Sequence, residues 1–159
     1  MGAGLRVRNS AKAIIFDPAT ERLLLIEHLG KEGTYYTFPG GGQEHGENLA
    51  EAVRRECMEE IGVAVIVGDL TAVRDYIAGN HEFAMDHPDF HAVEFYFLCT
   101  LEHPSDARVG AIPDKTQVGI RWILLSEVPN APIYPKAFRS LMQRIIDRDV
   151  LPIYLGDVN

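Results

Sequence analysis

Apolar positions come in short, strand-sized blocks at the start of the chain. Arg6 to Phe16 predicts a strand, Asp17-Pro-Ala-Thr20 a turn, and Leu23 to Glu27 a returning strand. His28 to Thr34 reads as a loop, and Tyr35 to Phe38 as a short aromatic strand stopped by Pro39 and three glycines. The period then changes. Between Glu47 and Ile61, the residues Leu49, Val53, Cys57 and Ile61 recur every four positions and predict a helix with one apolar stripe. Gly62 stands where a C-cap glycine belongs. Val63 to Val67 and Thr71 to Ile77 predict two strands, Ala92 to Leu101 a long one and Val118 to Leu125 another. Loops are predicted over Gly79 to Phe90 and Glu102 to Thr116. Pro135 to Arg148 predicts a closing amphipathic helix with Phe138, Leu141, Met142, Ile145 and Ile146 on one side. Strands, helix, strands, helix is the order of an α/β fold with a mixed sheet between helices, not of a doubly wound parallel sheet. No repeat or linker-like tract interrupts it, so residues 1–159 read as one domain.

Composition narrows the classes. Hydrophobic residues make up 47% and charged residues 24% of the 159 positions, an ordinary globular balance. No apolar run approaches the ~18 residues of a membrane span, so no membrane association is expected. Met1 to Asn9 lacks an apolar secretion segment, and Arg6 breaks the acylation pattern that begins Met-Gly. Only Cys57 and Cys99 are present, which argues against a disulfide framework and fits a reducing cytoplasm. The net charge of −8 disfavours general nucleic-acid binding, because a phosphate backbone demands a basic face. If the substrate is an anion, a divalent cation must reverse the local field.

The predicted helix supplies a place for such an ion. At ~100° per residue, Glu56, Glu59 and Glu60 fall within an arc of roughly 100° that borders the apolar stripe. Three neighbouring carboxylates repel, and a purely structural helix would spread them over its solvated face. Mg²⁺ or Mn²⁺ removes the repulsion and prefers oxygen ligands. The preceding segment, Phe38-Pro-Gly-Gly-Gly-Gln43, lets backbone approach a ligand and frees carbonyls to face a metal. It is no phosphate-cradling P-loop, since no Lys-Ser or Lys-Thr follows.

Gly41, Glu47, Arg55, Glu56, Cys57, Glu59, Glu60, Gly62 and Val63 follow the spacing G-x5-E-x7-R-E-U-x-E-E-x-G-U. This resembles the Nudix box of the Nudix hydrolases. Seven of these positions demand one residue type, so at roughly 7% usage each a chance match is on the order of one in a million. Cys57 replaces the usual aliphatic residue, a mild departure because a buried Cys packs as a small hydrophobe. The resemblance implies an α/β/α sandwich and metal-dependent hydrolysis of a nucleoside diphosphate linked to another group, by attack of water on phosphorus. It implies that Glu56, Glu59, Glu60 and the carbonyl of Gly40 hold Mg²⁺ or Mn²⁺, with Glu56 as base. Arg55 and Glu47 are expected to fix the loop–helix geometry by an ion pair, with Arg55 beside the catalytic glutamates and Gly62 structural. Many family members add an acidic ligand from the loop before the last strand. Here Gln117 stands near that place, and Asp114, Glu102 or Glu94 is left to substitute.

Other residues carry two readings each. Lys12 interrupts the first strand and could meet substrate phosphate; Gly41 would let substrate approach the backbone. Glu94 is the one charge inside its apolar strand, so it either reaches the site or lies on a wet face. His81, His87 and His91, with Glu82, Asp86 and Asp89, surround a loop that is either a substrate-contacting lid, His91 included, or polar surface; the spacing matches no zinc pattern. Tyr35, Tyr36 and Phe38 either stack on a base or pack the sheet. Trp122, Cys99 and the last helix read as core. The expected partner is a small nucleotide: a nucleotide sugar, ADP-ribose, a dinucleoside polyphosphate or a modified nucleoside triphosphate. A homodimer is left open by the resemblance. Rival readings are a non-catalytic nucleotide-sensing module and an isomerase acting on isoprenyl diphosphate, which would need additional groups to protonate carbon, typically a Cys and a Glu in separate motifs; the intact hydrolytic box and the short chain speak against the latter.

Overall fold

The computed structural model describes residues 5–159. The Met1-Gly2 start, where the acylation pattern was sought, lies outside them. In chain order the elements are β1 (Arg8–Asp17), β2 (Arg22–Gly30), β3 (Gly33–Thr37), β4 (Gly40–Gly42), α1 (Leu49–Ile61), β5 (Val65–Ile77), β6 (His91–Leu101), β7 (Gln117–Leu124), β8 (Ile133–Tyr134), α2 (Ala137–Ile146) and β9 (Tyr154–Asp157). All strands join one mixed sheet ordered β8-β3-β2-β1-β6-β5-β9, with β4 added to β1 and β7 to β2. The expected α/β class, a mixed sheet with helices on it, is what the chain forms.

Two apolar clusters lie on the two faces of the sheet. On one, Ala52, Val53, Cys57 and Ile61 of α1 pack on Ala11, Ala13 and Ile15 of β1, with Trp122 and Phe97 at the margin. On the other, Phe138, Met142 and Ile145 of α2 pack on Ile14, Leu23, Leu25, Phe38 and Tyr96. Alternation along β1 therefore sends its even and odd side chains to different helices. Both cysteines are buried and free.

The structure departs from the sequence reading where turns are tight. The expected loop at His28 to Thr34 is a hairpin: β2 runs to Gly30 and pairs with β3 from Gly33, leaving two residues at the turn. The expected strands at Val63 to Val67 and Thr71 to Ile77 are one strand, β5, whose register against β6 shifts between Val67 and Ala72. A Cβ on Gly68 would lie 2.6 Å from the Leu98 carbonyl oxygen, so the bulge brings the two backbones too close for a side chain. Helix α1 starts after Asn48, not at Glu47. Asn48 accepts from the Glu51 N–H at 2.9 Å and donates its own N–H to the Glu51 carboxylate at 2.7 Å, a reciprocal cap. Gly62 closes the helix at φ +68. The last helix spans ten residues, Ala137–Ile146, inside the predicted Pro135 to Arg148. Strands β4, β8 and β9 are not foreseen in the sequence.

Candidate active site at the glycine turn and helix α1

Strand β1 pairs with β2 only over Ile15 to Asp17 and with β4 over Ser10 to Lys12. The sheet thus splits beside β1, and the glycine turn enters the split. Gly40 adopts φ +133, and a Cβ there would fall 2.1 Å from the Ala11 carbonyl oxygen. At Gly41 a Cβ would sit 2.6 Å from the Glu56 carboxylate. Glycine is required at both, once for the backbone and once to admit the Glu56 carboxylate.

One guanidinium organises the acidic face of α1. Arg55 donates to both oxygens of Glu47, at 3.1 and 2.8 Å, and to the Gly42 carbonyl at 2.9 Å. Its Nη1 also donates to Glu56 at 3.0 Å and to Glu59 at 3.4 Å. These bonds hold the Glu47 carboxyl below its usual range. Glu60 turns away from Arg55 and accepts the Gly40 N–H at 2.8 Å. Its side chain is only 2% exposed, and burial pushes its carboxyl up to about 8. Burial also raises Glu56, against the pull of Arg55.

Among the described residues, no three acidic, His or Cys side chains already surround a common point in metal-binding geometry. Two of the three glutamates are drawn to Arg55 and the third to Gly40. The donor chemistry nevertheless fits a divalent cation: oxygen only, three carboxylates within one helical turn, and a turn without side chains facing them. Nudix hydrolases in general require such an ion.

The flanking elements close the site. N–H groups of Arg108, Gly110 and Ile112 bond the carbonyls of Ile61, Glu60 and Glu59, satisfying the end of α1 with the loop that precedes β7. Gln117 donates to the Glu60 carbonyl at 2.9 Å, so it braces the helix rather than supplying an acid. Asp114 lies close enough to push Glu60 further up. Glu102 follows the far end of β6, six residues beyond Tyr96, the β6 partner of Lys12, or roughly 20 Å at strand rise; of the candidates on that loop, Asp114 is the one beside Glu60. His28 was passed over in the sequence. Its ring bonds Thr116 at 2.8 Å and Thr37 at 2.7 Å and stacks on Tyr35, tying the Asp114 loop to the sheet. Burial pulls its pKa down.

Lys12 points its Nζ at the Gly40 carbonyl, at 3.0 Å. Glu94 is neither wet nor free. It accepts Arg74 Nε at 2.6 Å and the Tyr96 hydroxyl. Burial pushes its carboxyl up, but Arg74 and Lys12 outweigh this and hold it below its usual value. The residues of the loop between β5 and β6, and His91 at the start of β6, scatter to separate partners: His81 to Asp157, His91 to Asp75, Asp86 to Lys31 and Glu82 to Lys136. They form no common metal centre. Phe38 packs on Tyr96 and Phe138, and Tyr35 edges on Tyr134, so these rings are packing residues.

The sequence matches the NUDIX domain family over residues 6–144. It is 33% identical over 108 residues to an RNA pyrophosphohydrolase of Helicobacter pylori, covering 64% of this chain and 68% of that protein. It is 42% identical over 52 residues to an NAD-capped RNA hydrolase of Caenorhabditis elegans, covering 33% of this chain. The matched regions are 14% of that nematode protein and 26% of a mouse relative. The structure resembles a MutT NUDIX hydrolase from Burkholderia pseudomallei, with TM-score 0.64 and 26% identity over 84% of this chain and 95% of that one.

Proposed function

The chain belongs to the NUDIX domain family, and from that premise we propose that it is a pyrophosphohydrolase of a nucleoside diphosphate linked to a second group. The substrates proposed are a nucleotide sugar, ADP-ribose, a dinucleoside polyphosphate or a modified nucleoside triphosphate. The whole chain, residues 1–159, acts as one domain, and two buried free thiols favour a reducing cytoplasm as its compartment. Glu56, Glu59, Glu60 and the Gly40 carbonyl are assigned to hold Mg²⁺ or Mn²⁺, which when bound neutralises the diphosphate and stabilises charge developing on it.

The protein's own groups have distinct tasks. Glu56, its carboxyl raised by burial, faces Gly41 across an opening without side chains and orients and deprotonates the attacking water. Arg55 holds Glu56 and Glu59 aligned through its Nη1 until they are needed elsewhere. Asp114 adds negative charge beside Glu60. Gly41 lets the diphosphate approach the backbone. Glu94 and His91, each held by its own partner, shape the substrate side rather than touch substrate. Glu60 is the observation that carries this reading. A carboxylate 2% exposed, with one backbone N–H donating to it, is costly in a protein that uses it for packing alone.

The test is a panel of nucleoside diphosphate derivatives and RNA 5′ ends incubated with Mg²⁺ and with Mn²⁺, reading nucleoside monophosphate or phosphate release. Turnover is expected on at least one small nucleotide. Excess chelator abolishes it and added metal restores it. Glu56→Gln lowers kcat by roughly 10²–10⁴-fold with unchanged circular dichroism. Nucleotide binding without turnover on any compound would replace the enzyme by a sensing module. Near-wild-type turnover of Glu56→Gln would remove that residue from the chemistry.

A further inference from the structure

We propose that Lys12 is the resident cation of the metal-free site, occupying the Gly40 carbonyl until a divalent ion takes that oxygen and releases the ammonium toward the diphosphate. The inference rests on the functional reading above and deepens it.

The position of Lys12 is set by register. Its neighbours Ala11 and Ala13 are fully buried under α1, so alternation sends Lys12 to the opposite face of β1. Gly40 is its direct cross-strand partner. A lysine at such a place can extend to water; this one is half-buried and folds back to the Gly40 carbonyl at 3.0 Å. The same glycine gives its N–H to Glu60 at 2.8 Å. One residue is thus held between a carboxylate and an ammonium, each bonded to the end of opposite polarity.

Two features mark the ammonium as a placeholder rather than a strut. First, the Gly40 whose carbonyl it holds gives its N–H to Glu60 and adjoins Gly41, which faces the Glu56 carboxylate, yet among the described residues Lys12 makes no ion pair within 4.0 Å. It neutralises the group of acids at a distance and is committed to none. Second, an ammonium has three donors, and Gly40 O is the one acceptor it reaches among the described residues. The remaining donors are available to an anionic oxygen. Two cations on one carbonyl oxygen repel at contact range. Binding of a divalent ion there and retention of Lys12 therefore oppose each other, and the displaced ammonium meets the diphosphate that the same ion attracts.

The experiment is Mn²⁺ binding to the metal-free protein, followed by electron paramagnetic resonance at fixed ionic strength. Lys12→Met is expected to bind Mn²⁺ roughly fivefold or more tightly than wild type. Lys12→Arg stays near wild type, and Glu60→Gln binds more weakly. In the wild type, the side-chain NMR signal of ¹³C-labelled Lys12 is expected to shift on saturation with Mg²⁺, a measurement that needs no variant to fold. Unchanged or weaker Mn²⁺ affinity in folded Lys12→Met, or a Lys12 signal that saturating Mg²⁺ leaves in place, overturns the proposal while metal binding itself stands. No Mn²⁺ binding to the wild type overturns the metal-dependent function, and this inference with it.

Discussion

Two adjacent glycines should fail in opposite ways when each is given one methyl group. In Gly40→Ala the new Cβ would lie 2.1 Å from the Ala11 carbonyl oxygen and 2.8 Å from the Lys12 Cα, at a backbone φ of +133. None of these atoms belongs to a flexible side-chain end. The β1–β4 pairing must open by about 1 Å, and the N–H bond to Glu60 goes with it. Left-handed strain and an orphaned buried carboxylate together are expected to cost about 3–5 kcal/mol, a large part of the 5–15 kcal/mol that holds a typical domain. In Gly41→Ala the φ is ordinary, and the obstruction is the Glu56 carboxylate at 2.6 Å. Glu56 can rotate out of the way for about 0.5–1.5 kcal/mol. Stability therefore changes little, while a base displaced by roughly 1 Å lowers kcat about 100-fold. Urea unfolding at constant pH, paired with steady-state kinetics on the substrate found by the panel, reads both effects. Equal destabilisation of the two variants, or wild-type kcat in Gly41→Ala, would refute the assignment of the open space at Gly41 to Glu56.

Two further outcomes follow from buried charge. The Glu60 carboxyl rises from 4.5 to about 8 on folding, so the folded state binds its proton more tightly than the unfolded chain does. The associated stability is complete below about pH 4.5 and is lost as pH climbs through 8, by at most about 5 kcal/mol. Urea midpoints of the chelated protein should show a larger fall between pH 5 and 8 in wild type than in Glu60→Gln; equal slopes would sink this account. Arg74 donates to Glu94 and to the Val158 carbonyl. Arg74→Met should cost about 3–5 kcal/mol by leaving Glu94 buried without its cation, held by the Tyr96 hydroxyl only, and speed amide exchange in β9, whereas Arg74→Met with Glu94→Leu should recover most of the loss. No recovery in the double variant would show that the pair is not what makes the single change costly.

What could be read from the sequence was whatever is governed by local spacing. The four-residue recurrence from Leu49 to Ile61 gives the helix, and the Asn48-x-x-Glu51 pair that caps it was equally available there. The box spacing gives the family and the glutamates, because helical geometry alone places Glu56, Glu59 and Glu60 on neighbouring azimuths. Non-local geometry was not available. β8 and β9 are two and four residues long; they are strands only because β3 and β5 offer edges, and no local pattern announces that. The bulge at Gly68 hides one strand as two. Glu94 looked ambiguous because its partner, Arg74, stands on a different strand and pairs with it only through the β5–β6 register. His28 looked like loop because its two threonines lie nine and 88 residues away.

The same distinction accounts for the state of the site. Helical spacing makes the three carboxylates neighbours, but their side-chain directions are decided by the cations and donors nearest to each. Arg55 draws Glu56 and Glu59 to one nitrogen. Gly40 takes Glu60, and Lys12 takes the carbonyl at the other end of Gly40. A chain of net charge −8 that concentrates acids beside its core must supply positive partners from within, or the helix would be unstable before any ion arrived. Arg55 and Lys12 differ in how they do so. Arg55 is bidentate to Glu47 and anchored on the Gly42 carbonyl, so it remains fixed while Glu56 and Glu59 can leave it. Lys12 has one neutral acceptor and can itself depart. A guanidinium anchored on Glu47 and Gly42, opposite an ammonium with a single carbonyl acceptor, keeps the metal-free fold intact under the proposed exchange: Glu56, Glu59 and the Gly40 carbonyl would each trade a held cation for the divalent ion, and Glu60 a backbone N–H.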